Sequence, residues 1–214
     1  MKITAYVPLL LFTPLLSTAQ LSKGQWMVGG SADFNHTTTN NKTINFDQHI
    51  EQTGYNLFPG AGYFFMDRFV AGLRTNLSNS KTEDKIDGTY YRTSDITTAP
   101  GAGIGAFARY YVFKPKNKFN AFAEAAYSYN SVKETSDWRQ GGIGYNGTPT
   151  SNVYITESKY KVNYYSLTAG PVIFISSKVS FELSVGYTLG KVTNQDQTID
   201  RIAIGTGFQV FLGK

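Results

Sequence analysis

The sequence has no cysteine, few charged residues and only two histidines. Of its 214 residues, 16% are Asp, Glu, Lys or Arg. The absence of cysteine excludes disulfides and thiolate chemistry. A charged fraction this low is unusual for a soluble domain, and 15% aromatic residues with 21 Gly accompany it. Helix formers are sparse and turn residues are common, so the composition favours an all-β chain.

A long hydrophobic run is present only at the N-terminus. Residues 3–16 are apolar, and Ser17 and Ala19 fit the −3 and −1 positions of a signal-peptidase site. The run is too short to span a bilayer as a helix, although a membrane anchor is the alternative interpretation. We expect a cleaved signal peptide over 1–19 and a single exported domain over 20–214. No later stretch is apolar enough for a transmembrane helix, so that domain is either soluble or a barrel.

Alternation of apolar and polar residues recurs along this domain and predicts strands. Eight are predicted: 24–35, 53–65, 69–79, 97–113, 119–131, 160–175, 179–191 and 201–212. The connections alternate between short segments and long polar ones, the long ones being 36–52, 80–96, 132–159 and 192–200. This layout predicts an all-β, eight-stranded antiparallel up-and-down transmembrane β-barrel with short periplasmic turns and long extracellular loops.

The two faces of each predicted strand differ in a way that favours a membrane. In 179–190 the odd positions are Val, Phe, Leu, Val, Tyr and Leu, whereas the even positions are Ser, Glu, Ser, Gly, Thr and Gly. A soluble lipocalin-type barrel, the competing architecture, would need many charges on its outer face. Small residues instead suit the interior of a narrow barrel, and the bulky apolar face suits lipid.

Four charged residues in the middle of strands all fall on the face with small residues. They are Arg74, Arg109, Glu124 and Glu182. A cation facing lipid at the bilayer centre costs about 2–4 kcal/mol, so the placement supports the assignment of the faces. We predict a neutral network of these residues inside the barrel. A packing role is favoured over ion conduction or catalysis, because buried charges need partners.

Two further groups follow from the same assignment of faces. Five aromatic residues point inward near the short turns and are predicted to plug the lumen: Phe64, Tyr111, Phe122, Phe174 and Phe211. Four lysines continue the outward face just above the apolar positions: Lys133, Lys159, Lys161 and Lys191. At that level they would contact lipopolysaccharide phosphates, although an ordinary solvated rim is the alternative.

Three segments carry a resemblance to a known family. FPGAGYFFMDRFVAGL (58–73), FARYYVF (107–113) and GTGFQVFL (205–212) are similar to the small outer-membrane β-barrel domain family of Bacteroidota, with an architecture like OmpX and the OmpA membrane domain. The resemblance implies the cell outer membrane as location and recognition by the barrel-assembly machinery through the C-terminal strand. The last strand departs from the pattern, because it ends Leu-Gly-Lys without a terminal aromatic residue. The family implies no single activity.

Motifs with a specific chemistry are weak in this sequence. GIGYNG (142–147) matches G-x-G-x-x-G but precedes Thr-Pro and no helix, so it is interpreted as loop glycines. His36 and His49 fall in the first long connection, where a Ser–His pair of a lipid-modifying enzyme is the least favoured alternative. We expect a structural or surface-interaction protein without enzymatic activity, cofactor, metal or nucleic acid. An extracellular partner would bind through the long connections, and small-molecule transport of porin-like type is the second hypothesis.

Overall fold

The computed structural model describes residues 21–43, 46–88, 91–114, 118–143, 149–193 and 198–213. The predicted signal peptide, residues 1–19, lies outside the described residues, as do positions 144–147 of the glycine motif. Within the described ranges no helix is long and apolar enough to cross a membrane.

The described ranges form one antiparallel sheet that closes on itself. Its strands are β1 (Trp26–Lys42), β2 (Phe46–Met66), β3 (Phe69–Gly88), β4 (Tyr91–Thr98), β5 (Gly101–Tyr111), β6 (Phe119–Ile143), β7 (Pro149–Phe174), β8 (Val179–Val192) and β9 (Thr198–Leu212). The ring closes where β1 pairs with β9, from Trp26 opposite Leu212 to Asp33 opposite Gly205. The predicted all-β, up-and-down antiparallel barrel is therefore confirmed.

Strands β4 and β5 together occupy one position in the ring, which therefore has eight positions. Both pair with β3 in a single register, and two backbone hydrogen bonds between Ser80 and Ala99 continue the ladder between them. The interruption falls at Pro100, which has no N–H to donate. The sequence predicts this pair as one strand beginning at 97, and that start is six residues too late.

The predicted limits of the upper strands are wrong. β1 and β2 continue through most of 36–52, β3 and β4 through most of 80–96, and β6 and β7 through most of 132–159. These extensions are rich in Thr, Ser and Asn on both faces, so they lack the apolar alternation that marks a half-buried strand. Backbone pairing nevertheless persists, because each extension belongs to a hairpin whose register is already set below it.

The outward face forms a continuous apolar band around the ring. It covers 26–34, 55–65, 69–77, 102–112, 119–129, 165–175, 179–189 and 202–212, where the large outward side chains are exposed on the isolated chain. Each segment has about the length of a tilted strand that spans a bilayer. Aromatic residues such as Trp26 and Phe65 mark its lower edge, and Phe34, Tyr55 and Tyr165 mark its upper edge.

Candidate functional site in the barrel lumen

The centre of the lumen is organised around Arg109, which lies between two carboxylates. Its Nε donates to Glu124 at 2.8 Å, and its Nη1 donates to Glu182 at 2.7 Å. Arg109 and Glu124 are direct cross-strand partners on β5 and β6, whereas Glu182 reaches them from β8 across the lumen. The guanidinium carbon also lies 4.2 Å from the centre of the Phe122 ring. Charge-assisted hydrogen bonds of this length position both carboxylates firmly.

Arg74 joins the same group from β3. Its Nη1 donates to Glu124 at 2.6 Å, and its Nη2 donates to Ser166 at 3.2 Å. Glu182 has further donors in Gln209, at 3.3 Å, and in the Tyr111 hydroxyl, at 3.3 Å. The structure thus brings together all four charges that the sequence predicts for the interior.

The interior also contains a second ion pair, which the sequence analysis does not predict. Arg201 on β9 lies 3.5 Å from Asp33 on β1, and the Asn56 amide donates to Asp33 at 2.6 Å. The strand parity puts Arg201 on the inward face, and the same alternation in β1 would have found Asp33. With Arg201, which lies one residue above the apolar band, the lumen at this level holds three arginines and three carboxylates, so its formal charge is zero.

The lower end of the lumen is filled by aromatic rings. Phe211 is central, with ring centroids 6.1 Å from Phe64, 6.3 Å from Tyr111 and 5.7 Å from Phe174. Phe122 belongs to the same buried cluster, together with Met27, Val70, Phe107 and Val172. The five predicted plug residues therefore lie in one packed layer.

The segment before β1 covers this layer from below. Leu21 is fully buried against the aromatic cluster, and its carbonyl accepts from the Arg68 N–H at 2.8 Å. The N–H of Gly24 donates to the Phe64 carbonyl at 2.9 Å, and the Lys23 N–H donates to Asp67 at 2.9 Å. Sequence reasoning misses this closure: it assigns 24–25 to the first strand, whereas β1 begins at Trp26 and 21–23 carry no alternating pattern.

A polar cavity of about 130 Å³ lies above the charge network. Arg74, Glu124 and Glu182 line it, together with many hydroxyl side chains from β1, β3, β6, β7 and β8. At about 30 Å³ per molecule it has room for about four waters.

Higher in the lumen, a small apolar cluster covers one wall. Val132, Val162 and Val192 are buried there on adjacent strands, with Tyr160, Tyr164 and Ile199 packed against them. Burial raises the pKa of the Tyr160 phenol, and the neighbouring Glu134 carboxylate raises it further. This wall therefore presents apolar surface and neutral phenols at neutral pH.

The four predicted rim lysines are all exposed on the outer face above the band. Lys133 and Lys159 are cross-strand partners on β6 and β7, and Lys133 also donates to Glu157 at 3.0 Å. The Lys161 ammonium lies 5.7 Å from the Tyr129 ring, and Lys191 continues the outer face on β8. The lysines line one side of the barrel rim.

The two histidines lie on the outer face of the β1–β2 hairpin and contact polar neighbours. His36 Nδ1 lies 3.2 Å from the Thr53 hydroxyl, and His49 Nδ1 lies 2.6 Å from Asn40 Oδ1. Neither hydrogen bond involves a serine. Within the described ranges no group of three His, Cys, Asp or Glu side chains has the arrangement of a metal site.

No protein-family model and no curated protein matches the sequence. Solved structures similar to it include Neisserial surface protein A, with 15% identity over 88% of this chain and 97% of that one (TM-score 0.47). The N-terminal β-barrel domain of Pseudomonas aeruginosa OprF follows, with 9% identity over 89% and 98% (TM-score 0.40). Ail, the attachment invasion locus protein of Yersinia pestis, has 12% identity over 87% and 99% (TM-score 0.36). All three are outer-membrane β-barrel proteins. The fold assignment itself rests on the strand pairing.

Proposed function

We propose that this chain is an outer-membrane β-barrel protein with a structural or surface-interaction role and no enzymatic activity. The observation that carries the proposal is the separation of residue types across the wall. Apolar side chains cover the outward band, whereas the five charges at that level, and Arg201 one residue above it, point into the lumen and pair there. In water this arrangement would expose a large apolar surface. In a bilayer the outward apolar face contacts lipid, and the inward charges pair with one another away from it.

The filled lower lumen argues against an open channel. The aromatic layer and Leu21 occupy the end with the short turns, and the charge network lies directly above them. A narrow eight-stranded ring leaves an interior that side chains can fill completely. The surface above the apolar band, formed by the extended hairpins, remains available to partners.

The family and the assembly route are also proposals. Segments 58–73, 107–113 and 205–212 favour the small outer-membrane barrel domains of Bacteroidota, and the alternating C-terminal strand favours recognition by the barrel-assembly machinery. The signal peptide over 1–19 would bring the chain to that machinery.

Heat-modifiable migration in detergent gels tests the proposal most directly. A folded membrane barrel migrates differently before and after boiling, and the protein should remain with the outer membrane after osmotic release. A chain that is released in soluble form and migrates identically in both states would contradict the proposal.

Two matched substitutions test whether the apolar band contacts lipid or is only exposed to water. Val185 and Val153 are both outward, with 55% and 56% of their surface exposed, but only Val185 lies within the apolar band. In vesicles, Val185→Arg should lower the free energy of unfolding by about 2–4 kcal/mol, because the guanidinium would face lipid. Val153→Arg should change it by less than about 0.5 kcal/mol. Equal effects in a denaturant titration would show that the band does not contact a bilayer.

We also propose that the rim lysines bind lipopolysaccharide phosphates. Replacing Lys133, Lys159, Lys161 and Lys191 together with Ser should reduce the lipopolysaccharide that is retained on the purified barrel. The loss should be greatest at low salt, because exposed charges are screened. A matched variant with four exposed lysines at the opposite end of the barrel changed to Ser, Lys23, Lys114, Lys118 and Lys178, controls for the loss of charge alone. Unchanged retention in the four-lysine variant would refute the contact.

Small-molecule transport is the second candidate, and one observation favours it. The pairing of β1 with β9 ends at Asp33 and Gly205, in the upper part of the apolar band, and both residues line the polar cavity. A solute could reach this cavity from the side. Uptake of small solutes into vesicles that contain the protein would support transport, whereas absence of uptake favours the surface role.

A further inference from the structure

Among the described residues, the ring is incomplete above the apolar band. β8 pairs with β7 only from Val162 downward, and the β8–β9 hairpin ends at Val192 and Thr198. β7 continues upward to Pro149, paired with β6 throughout. Residues 150–160 of β7 therefore have β6 on one side and, among the described residues, no strand on the other. Lys161 is left out because its carbonyl accepts from the Thr193 N–H at 2.8 Å, and Pro149 because it has no N–H to donate. The segment 150–160 is called the free β7 edge below.

The free β7 edge has the composition of a pairing surface. Its middle carries Val153, Tyr154 and Ile155 in succession, with exposed fractions of 56%, 60% and 69%. Residues 151–156 contain no charge, proline or glycine, which is the composition of segments that add to other strands. Native proteins usually protect exposed edges with charge or proline, and this edge lacks both at its centre.

Two shorter unpaired edges face each other between β1 and β9, and the one on β9, residues 198–204, carries Asp200 and Arg201. β1 above Asp33 also lacks a partner on its β9 side, but its residues 37–42 read Thr-Thr-Thr-Asn-Asn-Lys. Because its side chains are polar and it ends in a Lys, this edge offers little apolar surface to another strand. The β7 edge is therefore the one suited to binding another strand.

We propose that the free β7 edge binds the same edge of a second copy of this chain, as antiparallel strands centred on Ile155. This deepens the proposed surface-interaction role, on which it rests, by naming the partner. Among protein segments, an extended strand pairs with a whole row of free N–H and C=O groups. The chain itself presents such a strand, and Ile155 is the midpoint of 150–160.

The charges of the segment agree with self-pairing about this midpoint. Glu157 of one copy would lie opposite Val153 of the other, and Lys159 opposite Ser151, so no like charges oppose each other. Ile155 would lie opposite its own equivalent at the centre, with Tyr154 of each copy opposite Thr156 of the other. A two-fold symmetric contact of this kind is the commonest form of self-association.

The strand directions determine whether the two paired copies lie in the same membrane or in two facing membranes. All copies in one membrane carry β7 running downward, so their β7 edges cannot pair antiparallel. Copies in two facing membranes run in opposite directions and can pair. The 11 residues of the edge span about 36 Å at about 3.3 Å per residue, so the centre of the contact lies well above the rim. The pairing would therefore join two membranes.

Clustering of vesicles tests this pairing. Wild-type protein is reconstituted with the hairpins outward, and clustering is followed by light scattering, with protein-free vesicles as the blank. Wild-type vesicles should cluster, whereas Ile155→Lys and Ile155→Glu vesicles should each cluster at least fivefold less, because like charges would oppose at the centre. Mixing the two mutant populations should restore clustering, since Lys would then face Glu.

The matched control is Ile96→Lys, the same change on the outward face of β4, where both neighbouring strands are present. It should cluster like the wild type. Failure of wild-type vesicles to cluster, clustering that survives Ile155→Lys, or no restoration in the mixture would each overturn the proposal. Heat-modifiable migration is recorded for every variant, so a barrel that fails to fold counts against the proposed function and is distinguished from a folded barrel that does not pair.

Discussion

Replacing Arg109 with Met should lower the free energy of unfolding by about 3–5 kcal/mol. The substitution keeps the length of the side chain but removes the cation between Glu124 and Glu182, which are both nearly inaccessible. Arg74 would still pair with Glu124, so Glu182 would lose its only ion-pair partner among the described residues. Denaturant titration of the protein in vesicles, followed by heat-modifiable migration and tryptophan fluorescence, measures the change.

A double variant tests whether the loss comes from unpaired charge. Arg109→Met combined with Glu182→Gln keeps the lumen neutral, and it should recover about half of the loss because the uncompensated carboxylate is gone. Arg139→Met is the matched control, since Arg139 pairs with Asp137 on the exposed upper sheet. Its effect should stay below about 0.5 kcal/mol. A double variant less stable than Arg109→Met alone would contradict the interpretation of the network as neutralising.

Replacing Phe211 with Ala should also cost about 3–5 kcal/mol of stability. The Phe211 ring contacts three other rings of the plug, so its removal leaves a cavity that its neighbours on fixed strands cannot close. The same titration measures the change. We expect no conductance in planar bilayers from the wild type or from this variant, because the remaining rings and Leu21 still occupy the lower lumen.

Phe208→Ala provides the control on the same strand. Phe208 faces outward and contacts Phe181, with ring centroids 5.1 Å apart. Its removal should cost only about 1–2 kcal/mol, because the side chain is half exposed and fluid lipid fills the space it leaves. Equal costs at the two positions would mean that the plug is not packed as a protein core.

Much of the lumen could be predicted because strand alternation is a local property. Once one face is assigned to lipid, the side of the wall on which Arg74 or Phe174 lies follows from its parity alone. Contacts across the lumen do not follow in the same way. Arg109 and Glu182 are 73 residues apart, and Arg201 and Asp33 are 168 apart, so their pairing depends on the stagger of strands around the ring.

The sequence by itself determined that alternating strands would form a barrel with an apolar outside, and which charges and rings would point inward. These properties follow from a period of two residues and from the cost of exposing charge to lipid. The tertiary structure alone decided where the strands end, because polar extensions have no contrast between faces and are held by backbone pairing. It also decided that Leu21 closes the lower end and that β7 extends beyond the end of β8, since both depend on neighbours distant in the chain.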